Sequence, residues 1–154
     1  MKKIILCFIL MFFILPAINI KHVNAIECSD TIIEFDDNNC YYETMLETYS
    51  SKARSSTIRS GKKTTSYKNS SGEILWSVSV TGTFTYNGNS ATCTSSSVST
   101  TCPNSSCKIT SKSANKSGAT AKATATAKRY NNGSVIETKT KTVTLTCSAT
   151  GTLS

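Results

Sequence analysis

The chain has 154 residues, with 17 Lys and Arg against 9 Asp and Glu, a single histidine and seven cysteines. The histidine, His22, and the odd cysteine, Cys7, both fall in the first 25 residues, so the remainder keeps six cysteines and no imidazole. That removes the usual general base, metal ligand and triad member. No catalytic, cofactor or metal site is expected, and a non-enzymatic role is.

Lys2 and Lys3 precede an apolar run from Ile4 to Ile20, and Val23-Asn24-Ala25 ends it with a small residue. This is the pattern of an export signal over residues 1–25, with a retained membrane anchor as the alternative. Cys28 follows Glu27, so the small residue of a lipoprotein signal is missing. The expectation is a secreted protein, free or associated with a cell surface.

Residues 26–50 hold seven acids (Glu27, Asp30, Glu34, Asp36, Asp37, Glu43 and Glu47) and no base. Thr31-Ile32-Ile33-Glu34 fits a helix capping box, and Asp36-Asp37-Asn38-Asn39 ends any helix begun there. Read as a calcium loop, that acidic run lacks the required Gly and distal Glu. Tyr42, Met45, Leu46, Tyr49 and Ala53 recur at three- and four-residue steps, which predicts a second short helix docking on the body. The whole segment is therefore expected to be a short acidic helical arm.

Residues 51–71 form a basic connector, with Lys52, Arg54, Arg59, Lys62, Lys63 and Lys68 and no acid. It is expected to be extended and exposed up to Gly61, with a first strand over Thr64 to Asn69 and a turn at Asn69-Ser70-Ser71-Gly72. Residues 72–154 form the body. There Ile74, Trp76, Val78, Val80, Phe84 and Tyr86 alternate with Ser and Thr, the period of a strand with one buried face. Gly82 marks a bulge or bend, and Asn87-Gly88 turns the chain into Ser90–Ser95. A second hairpin runs from Ala119 to Cys147 about Asn132-Gly133. A two-residue loop there sets Tyr130 opposite Val135, Lys128 opposite Glu137, and Ala121, Ala123 and Ala125 opposite Thr144, Thr142 and Thr140. Which face of this hairpin is buried stays open.

Frequent turns between strands predict a mostly β body: a small, disulfide-bonded antiparallel sandwich or barrel. It resembles immunoglobulin-like domains in size only, because Trp76 precedes both Cys93 and Cys147. The downstream region carries 24 Ser and 24 Thr, and its few large apolar residues make a thin core. Thin cores in an oxidising compartment favour cross-links, so Cys28, Cys40, Cys93, Cys102, Cys107 and Cys147 are disulfide candidates. Among fifteen pairings, Cys93–Cys147, Cys102–Cys107 and Cys28–Cys40 are preferred. The rival joins Cys28 or Cys40 to Cys102 or Cys107.

Residues 51–154 hold fourteen Lys and Arg against Glu73 and Glu137. The candidate anion-binding residues are Lys62, Lys63, Lys122, Lys128, Lys139 and Lys141. Aromatic interleaving and a reading helix are absent, which disfavours nucleic acid. Anionic envelope polymers, lipid headgroups and acidic glycans are the expected partners. The alternate threonines Thr138 to Thr146 resemble ice-binding ladders locally, but matched ladders are not visible and a solvated strand face is expected. Two readings follow. One is a secreted binding module whose acidic arm folds on its basic body. The other is a secreted cationic antimicrobial or toxin-like protein whose acidic pro-part is released by cleavage in the connector, near Arg59 or Lys62-Lys63.

Overall fold

The computed structural model describes residues 26–28 (backbone only), 31–36, 39–49 and 57–154. The expected leader and the first part of the connector lie outside the described residues. Nine strands form two antiparallel sheets. Sheet A contains β1 (Ile26–Cys28), β2 (Ile32–Phe35), β3 (Tyr41–Tyr49), β4 (Ile58–Lys68), β5 (Ile74–Tyr86) and β6 (Ala91–Thr101). Its order is β1-β3-β4-β5-β6, and β2 also pairs with β3, near that strand's start. Sheet B contains β7 (Cys107–Ser117), β8 (Thr120–Asn131) and β9 (Ser134–Thr146), in that order.

The alternation in β5 is borne out for its apolar face, while Ser77 and Ser79 on the face expected to be wet are buried as well. Trp76, Val78, Val80 and Phe84 are all buried, with Val78, Val80 and Phe84 fully so. Ile74 departs from it: the register shifts between Tyr67 and Lys68, Leu75 takes the buried place, and Ile74 is left exposed. Gly82 marks a close approach. A Cβ there would stand 2.7 Å from the Phe84 ring and 3.1 Å from Ala121 Cβ, so only glycine lets sheet B come this near.

The Asn132-Gly133 turn forms as expected, with φ of 47° and 81° at its two residues. Tyr130 faces Val135, but a bulge then shifts the register between Arg129 and Tyr130. Beyond it Arg129, not Lys128, faces Glu137, and Ala121, Ala123 and Ala125 face Leu145, Val143 and Lys141. A one-residue slip exchanges the faces of a strand. Here it aligns the fully buried Ala121, Ala123 and Ala125 with Val143 and Leu145. That alanine-lined face of β8 is the buried one, and it lets the two sheets pack closely.

The helical arm expected over 26–50 is not found: its described residues form strands β1, β2 and β3. Tyr42, Met45, Leu46 and Tyr49 lie on β3, which is hydrogen-bonded to β4 in unbroken register from Tyr41↔Lys68 to Tyr49↔Ser60. Alternation explains the segment better than a helical stripe. Leu46 is buried and Tyr42 packs against the core, while Glu43 and Glu47 on the other parity meet Lys68 and Lys62. The later part of the connector is not a free tether either. As β4 it lies inside sheet A, paired on both edges.

The expected cross-links are also corrected. Cys40, Cys93, Cys102, Cys107 and Cys147 are free thiols, none at disulfide distance from another. For Cys28 and Cys40 the backbone itself forbids a bridge. Cys28 pairs with Glu47, seven residues along the chain from Cys40, or about 23 Å at strand rise, against the roughly 7 Å a disulfide spans.

Candidate anion-binding surface

The arm carboxylates decide which cations remain available. Every arm acid whose side chain is described is ion-paired with a lysine, two in the connector and two in the body. Glu47 meets Lys62 at 3.4 Å and Glu43 meets Lys68 at 2.5 Å, both across the β3–β4 pair. Asp36 Oδ2 and Glu34 Oε2 reach across to β9, each 2.6 Å from the Nζ of Lys139 and Lys141 respectively.

The Asp36 contact belongs to a larger half-buried network. The hydroxyl of the buried Tyr67 donates to Asp36 Oδ2 at 3.0 Å, with Glu137 Oε1 also within reach at 3.3 Å. Glu137 in turn meets Arg129 Nη1 at 2.9 Å and Lys139 Nζ at 3.7 Å. These charges point inward because β9 keeps the buried parity of Val143 and Leu145 past the end of the apolar core. Paired and hydrogen-bonded, such groups are tolerated there.

The network shifts its members. Burial, aided by hydrogen bonds to Cys40 and Asp36, pushes the Tyr67 phenol well above its usual 10.0. Burial also raises Tyr42 above 10.0. The hydrogen bond to Asp36 raises Lys139 above 10.5. All three hold their protons to higher pH in the folded state than in the unfolded one. Their contribution is therefore complete below the unfolded values and is lost as pH rises through the folded ones. The melting temperature is expected to fall steadily above about pH 10. Thermal melts on an alkaline pH series check this, and a constant value up to about pH 11 would contradict it.

With these pairs made, Lys63, Lys108, Lys112, Lys116, Lys122 and Lys128 form no ion pair among the described residues. All but Lys63 lie on β7 and β8. Register brings three of them to the outer face of sheet B: Lys108 directly opposite Lys128, and Lys122 opposite Asn115. Like charges directly opposite one another are destabilising. Lys108 also sits 5.6 Å from the centroid of the Tyr130 ring. Around them the face is hydroxyl-rich. Thr138, Thr140, Thr142 and Thr144 of β9 stand in register with Lys128, Thr126, Thr124 and Lys122, which gives two Thr–Thr pairs flanked by lysines and no extended threonine ladder. Thr124–Thr142 and Thr126–Thr140 bond to each other at 2.8 and 2.9 Å.

The six expected anion-binding lysines therefore separate. Lys62 and Lys139 are committed to carboxylates. Lys122 and Lys128 share the outer face of sheet B. Lys63 and Lys141 line a groove between the sheets. Lys108 was missed, because only the β7–β8 register sets it beside Lys128, and the bulge between Ile109 and Ser111 conceals that register in the sequence. The chain matches no family model, no curated protein and no solved structure, so its own residues define the site.

Proposed function

We propose that the protein is a secreted, non-enzymatic binding module that attaches to anionic envelope polymers through the outer face of sheet B. One observation carries the reading. The described acids of the arm are consumed in internal ion pairs, whereas Lys108, Lys122 and Lys128 share a threonine-rich face with no carboxylate partner among the described residues. A surface of one sign attracts a polyanion and loses that attraction as salt rises.

The alternative, an acidic pro-part released to free a cationic toxin, fits less well. Release would strip β3 from β4 along its whole length and leave Lys139 and Lys141 without Asp36 and Glu34. The amides of Cys93 and Cys147 bond to the consecutive carbonyls of Gly118 and Ala119. Cys102 and Cys107 flank one short turn, and burial together with the Cys102 thiol pushes Cys107 up to about 12, which keeps it a protonated, unreactive thiol.

The test is retention on immobilised poly(glycerol phosphate) over a salt gradient. The native chain is expected to bind at low salt and elute as salt rises. The triple variant Lys108→Gln, Lys122→Gln, Lys128→Gln should pass through unretained while melting normally, and Lys62→Gln should behave like the native chain. Equal retention of the triple variant and the native chain would refute the assignment.

A further inference from the structure

Lys63 and Lys141 meet in a groove of about 210 Å³ between β4 and β9, together with Glu34, Thr44, Thr65 and Val143. Lys63 takes the inward parity of β4. Its cross-strand partners are Leu46 and Val80, both buried, so the route open to its ammonium is the groove. A lysine aimed inward without a counter-charge is costly unless something compensates it. Lys141 is held in place twice, 4.3 Å from the centroid of the Tyr42 ring and 2.6 Å from Glu34 Oε2. The cation–π contact keeps its head oriented even when the carboxylate leaves.

Glu34 is the least secure member. It lies on the four-residue strand β2, and its side chain is 57% exposed, against 15% for Asp36. Exposed ion pairs are weak, so an incoming anion can displace it. Two ammonium groups and one carboxylate leave one positive charge unbalanced. The remaining walls are hydroxyls and two apolar side chains: Thr44 and Thr65 bond to each other at 2.8 Å, beside Val143 and Ile32. That lining matches a small polyhydroxylated ring, and the groove is well below the size of a drug-sized pocket.

We infer that this groove binds one carboxylated sugar residue of an acidic glycan, with Lys63 and Lys141 as its carboxylate contacts and Glu34 as an internal surrogate that the ligand displaces. The groove lies away from Lys108 and Lys128, whereas Thr144 of its lining stands opposite Lys122, so the variants that separate the two sites leave Lys122 native.

Calorimetric titration of the full chain with digalacturonate tests the site, with cellobiose and inorganic phosphate as comparison ligands. Digalacturonate is expected to bind, and cellobiose and phosphate are not. Glu34→Gln should tighten binding about three- to ten-fold, because the internal competitor is gone, and Lys63→Gln should weaken it about ten-fold or more. Lys108→Gln with Lys128→Gln should leave it unchanged, which separates failure of this site from failure of the polymer-binding face. Undiminished binding by Lys63→Gln, no tightening by Glu34→Gln, or equal binding of phosphate or cellobiose would overturn the inference. Should Lys63→Gln fail to fold, the Glu34→Gln titration decides alone.

Discussion

Replacing Trp76 with alanine is expected to lower the free energy of unfolding by roughly 3–5 kcal/mol, the largest effect of any single substitution in this chain. Trp76 is the bulkiest fully buried side chain, only 1% exposed. It anchors an aromatic cluster, with the Tyr42 ring edge-on at 6.4 Å and the Tyr67 ring tilted at 6.2 Å. The buried face of β8 is alanine-lined throughout (Ala121, Ala123, Ala125 and Ala127), so the core has few flexible side chains to fill a void. A domain of this size has about 5–15 kcal/mol of stability in total, so the loss is a large share. Urea denaturation checks it, and a loss below about 1 kcal/mol would show that the core does not centre on Trp76.

The second large effect is expected from Glu137→Ala. Glu137 is 13% exposed and contacts Arg129, Lys139 and Tyr67 at once. Its removal leaves Arg129 without its carboxylate and Lys139 with Asp36 alone. Breaking a fully buried pair costs about 3–5 kcal/mol. Arg129 and Lys139 keep 33% and 28% exposure, so screening reduces the expected cost to roughly 1–3 kcal/mol. Glu47→Ala is the contrast. It breaks a longer pair whose members are 30% and 32% exposed, and should cost under about 1 kcal/mol. Equal losses in the two variants would mean that the Asp36–Lys139–Glu137 network contributes nothing beyond ordinary surface charge.

The features that the sequence made legible were those fixed by local chemistry. The apolar alternation through Trp76, Val78 and Val80, the Asn132-Gly133 turn and the Asn69–Gly72 turn all lie where their residues place them. Bulges hid the rest. One extra residue at Ile136 moved Lys128 away from Glu137 and turned the alanines of β8 inward, and no local signal marks it. The arm misled for a different reason. Tyr42, Met45, Leu46 and Tyr49 fit a helical spacing and not a strand alternation, since Met45 and Tyr49 share the face of Glu43 and Glu47, and pairing with β4 overrides that local pattern. The opposed charges of arm and body were plain in the sequence. Their consequence needed register: the arm neutralises Lys62, Lys68, Lys139 and Lys141 and leaves β7 and β8 basic.

All of this depends on the arm being a permanent strand of the sandwich. The direct measurement replaces residues 51–56 with the recognition sequence of a site-specific protease, cuts there, and passes the nicked protein through a sizing column in native buffer. Residues 26–49 are expected to elute with the body and to separate only in denaturant. A body that sheds the arm on cutting and still melts cooperatively would contradict the account and favour the released pro-part.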